Sequence, residues 1–190
     1  MPIEHPKTLS CSPNSCNSRT SNSQMTSSTT QRASSSTCIL NSYHVFLSFR
    51  GEDTRKNFTD HLYTTLVAYG LQVFRDDEEL AKGGDIASDL SRAIEESKIF
   101  IIIFSKNYAN FRWCLNELVK IIEQMEEKKS RVLPVFYHVN PSNVRKQSGS
   151  YEEAFSNHEA DANQEKERIQ NWRSALTKAA DLSGCHVDDQ

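Results

Sequence analysis

The chain has 190 residues, enough for one ordinary domain and a tail. Its hydrophobic fraction of 37% and charged fraction of 25% suit a globular protein, and a net charge of −3 argues against bulk binding to nucleic acid or a membrane surface. No apolar run approaches the roughly 20 residues of a membrane-spanning helix. The five cysteines (Cys11, Cys16, Cys38, Cys114 and Cys185) have no metal-ligand spacing with histidines, so reduced thiols in a cytosolic protein are the simplest expectation, with no metal site.

Residues 1–42 are dominated by Ser, Thr and Asn, with Glu4 as their one acid. Such a segment buries too little apolar surface to offset its ordering entropy, so a disordered tail is expected. It lacks the apolar centre of a secretory signal, although its Ser-rich, acid-poor composition overlaps with that of organelle transit peptides.

From Tyr43 the pattern changes. The aromatic and β-branched residues of 43–49 predict a strand. Phe58, Leu62, Leu66 and Tyr69 recur at helical spacing, and Gly70 stops that helix. A short strand over 71–74 leads into a polar loop, 75–85, containing Gly83-Gly84. Asp85 is placed to cap a helix that turns Ile86, Leu90 and Ile94 to one side. The continuous apolar run 99–104 reads as a parallel strand buried on both faces. A helix over 112–127 follows, with Leu115, Leu118, Val119, Ile122 and Met125 inward. The next strand, 132–139, has Pro134 near its start, where a missing donor is more tolerable. Helices over 150–160 and 166–183 complete the pattern, the second presenting Ile169, Trp172, Leu176 and Ala180 on one side. A fifth, weakly signalled strand falls near 143–147.

Strand and helix alternate with short connections, which predicts a flavodoxin-like, doubly wound α/β fold with four to five parallel strands. The same order suits a response-regulator receiver, but Ser48-Phe49-Arg50 and Ser105-Lys106 stand where a receiver needs its carboxylates. No nucleotide-binding glycine fingerprint and no Ser-His-Asp or Cys-His pattern is present. In open parallel sheets ligands bind at the carboxyl ends of the strands, which puts Arg50 and Gly51 at the mouth of a site. Trp113 and Glu117 lie four residues apart and share a helix face. A carboxylate with an aromatic neighbour there suits a ribose. The plainer alternative makes Glu117 a solvated acid, like Glu123, Glu126 and Glu127, and Trp113 a core residue.

The run Ser48-Phe49-Arg50-Gly51-Glu52-Asp53-Thr54-Arg55 resembles the opening motif of plant TIR (Toll/interleukin-1 receptor) domains. Further blocks resemble that family in its order and approximate spacing: 57–63, 74–77, 93–97, 104–109, 113–118, 134–142, 144–147, and Trp172 with Ala175-Leu176. The resemblance divides the chain into a tail (1–42), a TIR domain (43–186) and a C-terminal tail (187–190).

The resemblance implies an NAD⁺ or NADP⁺ glycohydrolase that releases nicotinamide and ADP-ribose-type products, some cyclic, as plant immune and cell-death signals. NAD(P)⁺ is then substrate, and no resident cofactor is implied. Glu117 matches the family's catalytic Glu. Arg50 matches an arginine that faces phosphate or ribose, its alternative being an ion pair with Glu52 or Asp53. Phe49 and Trp113 match aromatic walls, with plain core packing as the alternative. Gly51 and Lys82 complete the expected substrate contacts. In the loop after the second strand, Ala81 stands where many relatives carry a cation and Gly84 where a Glu is frequent, which puts the level of activity in doubt. The family self-associates, which points to Asp60 and His61 on the first helix, and to Gly149 and Trp172 at a second face. Expected partners are other copies, other TIR domains and TIR-type immune receptors, with no membrane and no nucleic acid. The expected compartment is the cytoplasm, with the nucleus second and an organelle the minor alternative. The chain reads as a TIR-only protein or as the N-terminal part of a receptor. The competing function is a non-catalytic adaptor that binds other TIR domains. Nucleic-acid chemistry, reported for some relatives, gains little support from the net negative charge.

Overall fold

The computed structural model describes residues 43–75, 86–161 and 166–188. The expected disorder of 1–42, the glycine-rich loop with Lys82 and the capping role of Asp85 lie outside the described residues.

Five strands form one parallel sheet in the order β2-β1-β3-β4-β5. They are β1 (Val45–Phe49), β2 (Val73–Arg75), β3 (Ile99–Phe104), β4 (Arg131–Tyr137) and β5 (Cys185–Val187). The helices are α1 (Gly51–Thr54), α2 (Phe58–Ala68), α3 (Ile86–Glu96), α4 (Arg112–Lys128), α5 (Pro141–Lys146), α6 (Ser150–Asp161) and α7 (Lys166–Ala180). This is the doubly wound order whose winding reverses between β1 and β3, where such sheets bind ligands.

Side chains alternate across the sheet, so its two faces hold two separate cores. On one face Phe46, Phe100, Ile102, Phe104 and Phe136 pack with α3 through α7. On the other, Val45, Leu47, Phe49, Ile101, Ile103 and Val135 pack against Phe58, Leu62, Tyr63 and Leu66 of α2. β3 is apolar throughout because it feeds both cores. Gly70, at φ +79°, follows the end of α2 in the left-handed region that glycine enters freely. Tyr69, which shares the helical spacing of Phe58, Leu62 and Leu66, is 82% exposed.

The fifth strand is not at 143–147. Those residues belong to α5 and its end, begun by an Asn140 cap whose Oδ1 accepts the Ser142 backbone N–H at 2.8 Å, with Pro141 in the first turn. The strand is β5, and its Val187 pairs with Tyr137, one residue beyond the expected domain boundary at 186.

Candidate active site

The carboxyl end of β1 runs into Arg50 and α1, and that of β3 into Ser105, Lys106 and a 3₁₀ turn over Tyr108–Asn110. Asp53 ties the two ends together. Its carboxylate accepts the Ser105 hydroxyl at 2.6 Å, the Asn107 backbone N–H at 3.1 Å and the Asn107 Nδ2 at 3.2 Å. Arg50 joins the cluster. Its guanidinium pairs with Glu52, lies 3.5 Å from Asp53, donates to the Asn107 carbonyl at 3.1 Å and sits 4.4 Å from the Phe111 ring centroid. The structural ion pair anticipated as the alternative for Arg50 is therefore formed, with both acids at once.

Beneath this surface a buried polar chain links β1 to α4. Ser48 Oγ and Tyr108 Oη are 2.9 Å apart, and Tyr108 Oη donates to the Cys114 carbonyl at 3.2 Å. The Cys114 thiol points to the Phe49 carbonyl at 3.7 Å. Burial pushes the Tyr108 hydroxyl well above its ordinary pKa, and the charges of Cys114 and Glu117 push the same way. The first turns of α4 are thus fixed to the sheet from below.

That anchoring sets Glu117. It is 2% exposed, whereas Glu123, Glu126 and Glu127 on the same helix are exposed. Glu117 is therefore not the solvated surface acid of the plainer expectation. A carboxylate in such a position is costly to fold around and contributes little to stability by itself. With Trp113 it lines a cavity of about 700 Å³ between α3, α4 and α7. Leu90 of α3 contributes to one side, Arg168 and Trp172 of α7 to the other.

The expected substrate residues are thus only partly gathered. Trp113 and Glu117 share the cavity, while Phe49, Arg50 and Gly51 are not among its described lining residues. Phe49 is 4% exposed and packs in the α2-side core. Gly51 starts α1, and a β-carbon there would meet the Arg55 side chain. Lys82 lies outside the described residues.

The expected association residues also divide. Asp60 and His61 are exposed on α2, and Asp60 accepts from Arg75 at 3.1 Å. Gly149 is exposed at φ +62°, just before α6. Trp172 is 1% exposed, so its ring is a core element and does not itself present a surface to a partner. Its indole N–H donates to Asn116 Oδ1 at 2.9 Å. The same oxygen accepts from Arg168 Nε at 3.1 Å. Asn116 and Arg168, neither singled out by sequence reasoning, are therefore part of the site; only the helical stripe Trp113, Asn116, Lys120 pointed to the first of them.

Residues 42–190 match the family model described as TIR domain. The chain is 53% identical over 170 residues to the disease resistance protein RPV1 of Vitis rotundifolia, covering 87% of this chain and 12% of that protein. It is 53% identical over 152 residues to the TMV resistance protein N of Nicotiana glutinosa, covering 80% of this chain and 13% of that protein. The chain thus spans only about an eighth of the length of these relatives. Among solved structures, the TIR domains of the activated Roq1 resistosome, which directly recognises the pathogen effector XopQ, superpose with a TM-score of 0.71 at 51% identity. That match covers 77% of this chain and 88% of the other.

Proposed function

Because the chain belongs to the TIR domain family, we propose that it cleaves the nicotinamide–ribose bond of NAD⁺ or NADP⁺ as a signal in plant immunity, with Glu117 as its catalytic residue. The observation that carries this reading is the burial of one carboxylate beside Trp113 in a large cavity between α3, α4 and α7. The relatives named above are resistance proteins, which supports the immune setting.

One carboxylate suffices for this chemistry. Glycosidases generally need one carboxyl group to protonate the leaving group and a second to act opposite it. Nicotinamide leaves from a cationic pyridinium, so the leaving group needs no proton. Glu117 accepts hydrogen bonds from the ribose hydroxyls and places negative charge beside the developing oxocarbenium ion. Trp113 supplies a flat apolar wall against which an aromatic base stacks. The buried Ser48–Tyr108–Cys114 chain keeps the first turns of α4 from shifting as charge develops. Water attack completes hydrolysis, and attack by a nucleophile within the same product gives a cyclic form.

Association with other copies or other TIR domains switches this activity on. The likeness to TIR domains of an assembled resistosome supports that reading. The test is nicotinamide release from NAD⁺ by the full chain, beside Glu117→Gln, with folding followed by circular dichroism. The variant should remain folded and lose about 10²-fold or more in turnover. Unchanged turnover in Glu117→Gln removes its catalytic role. A wild-type chain silent at every concentration leaves the non-catalytic adaptor.

A further inference from the structure

The cavity beside Glu117 has a cation that is held in place. Arg168 Nε donates to Asn116 Oδ1 at 3.1 Å, and its guanidinium carbon lies 5.0 Å from the Trp172 ring centroid. The hydrogen bond and the stacking fix the position of a side chain that is otherwise rich in rotamers. Asn116 Oδ1 is itself fixed by the Trp172 indole N–H at 2.9 Å. The arrangement therefore presents an oriented, half-buried guanidinium at the wall, bonded to Asn116, which adjoins the candidate catalytic carboxylate in sequence.

A second cation stands one helical turn along. Lys120 is four residues after Asn116, so it lies on the same stripe of α4 and lines the same cavity. Its ammonium donates to Ser91 Oγ of α3 at 2.7 Å. Glu123 and Glu167 also line the cavity and oppose anion binding. Glu123, however, is exposed and lies two helical turns beyond Asn116, about 10 Å along the axis. Glu167, next to Arg168 in sequence, is likewise exposed, whereas Arg168 is half-buried at the Asn116 wall.

We infer that Arg168, assisted by Lys120, holds the diphosphate bridge of a dinucleotide in this cavity. The inference rests on reading Glu117 as the residue that meets the ribose of NAD(P)⁺, and adds what holds the substrate's charge. A volume of about 700 Å³ lies within the usual range for small-molecule sites. The planar fork of an arginine suits paired phosphate oxygens, and anchoring it beforehand reduces the ordering cost of binding.

The chain's two tryptophans, Trp113 and Trp172, both line the cavity, so intrinsic fluorescence reports its occupancy without catalysis. ADP-ribose and adenosine are titrated into the full chain, wild type, Arg168→Gln, Arg168→Lys, Lys120→Gln and Glu117→Gln. ADP-ribose should give a saturable change that weakens with added salt. Its affinity should fall about 10-fold or more in Arg168→Gln, the usual loss for a charged hydrogen bond. Arg168→Lys should lose most of that affinity too, because an ammonium does not reproduce the fork. Lys120→Gln should lose less. Adenosine, which lacks the diphosphate, should bind all variants alike.

Equal ADP-ribose affinity in the wild type, Arg168→Lys and Lys120→Gln overturns the inference, as does the absence of any saturable change. If Arg168→Gln fails to fold, those two variants decide. The outcome is separable from the catalytic reading. Glu117→Gln should bind ADP-ribose while losing about 10²-fold or more in nicotinamide release. Arg168-dependent binding without wild-type turnover removes the glycohydrolase and keeps the diphosphate site. Glu117-dependent turnover with Arg168-independent binding does the reverse.

Discussion

At the scale of single residues, Asp53 organises the carboxyl end of the sheet. Three donors from the segment after β3 converge on its carboxylate, with Arg50 beside it. Hydrogen bonds to a charged acceptor are worth about 1.5–3 kcal/mol each before the loss of a partner is counted. Asp53→Asn keeps the shape, removes the charge and turns one acceptor into a donor facing donors. It should destabilise the fold by about 2 kcal/mol, which lowers Tm by roughly 4–8 °C in a chain of this length. Differential scanning calorimetry reads this directly, and an unchanged Tm shows that the cluster is replaceable.

Tyr108 and Tyr151 give the residue scale a pH dependence. Burial raises both hydroxyls well above the ordinary value; the neighbouring charges of Cys114 and Glu117 add to this for Tyr108, and those of Asp53 and Cys114 for Tyr151. The unfolded chain releases these protons near pH 10, while the folded chain retains them. Their contribution is therefore complete below pH about 10 and is lost as the pH rises towards the folded pKa. Urea midpoints should fall above pH about 10, and more shallowly in Tyr151→Phe, which removes one of the two groups. A midpoint just as steep in that variant assigns the alkaline loss elsewhere.

Among elements, β5 is the one whose existence depends on an absent side chain. Gly184 precedes it, and a β-carbon there would clash with the Pro134 carbonyl oxygen and lie 2.7 Å from Pro134 Cγ. Neither the backbone nor a proline ring moves aside cheaply. Since N and O of one residue point the same way in a strand, the nitrogen of Pro134 faces the same edge. There β5 has not yet begun, because its pairing starts at Val135. Proline thus sits mid-strand without depriving a neighbour of a donor. Gly184→Ala should detach β5 and cost about 1–3 kcal/mol, seen as a lower thermal midpoint and faster amide exchange at Phe136 and His138, whose N–H groups face β5. Native exchange at those two amides in the variant contradicts this account.

The same elements show what was legible beforehand. β1, β3, α3 and α4 carry strong periodicity or unbroken apolar runs, and their expected positions hold within a residue or two. β5 has only three residues, polar at its centre, and no periodicity to detect. The stretch near 143–147 has Val144 as its one apolar residue and so no period to read, and the Asn140-Pro141 cap decides for a helix. Within the site, Trp113 and Glu117 were visible because they lie on one helix. The Asn116 contacts to Arg168 and Trp172 were not, since they span 52 and 56 residues and depend on how α4 and α7 pack. Motif likeness pointed to Arg50 but could not report that Glu52 and Asp53 already engage it.

For the molecule as a whole, α2 is the helix that covers the sheet face opposite the candidate site among the described residues. An association surface on α2 therefore lies across the sheet from α4 and its Glu117. The two expected contact residues on α2 are not equivalent probes. Asp60 is paired with Arg75 at the end of β2, and Arg75 also stacks on Tyr63 at 4.6 Å, so changing Asp60 also removes an ion pair to the edge of the sheet. His61 is exposed on the helix surface, where a substitution away from such features usually changes stability by about 0.5 kcal/mol or less. His61→Ala should therefore leave Tm unchanged. If association through α2 gates catalysis, nicotinamide release per molecule rises with wild-type concentration and stays flat and low in His61→Ala, with sedimentation showing the variant as monomer. A variant that stays monomeric yet turns over as fast as the wild type separates catalysis from assembly. A variant that still assembles moves the contact to another face, with the surface around Gly149 the next to change.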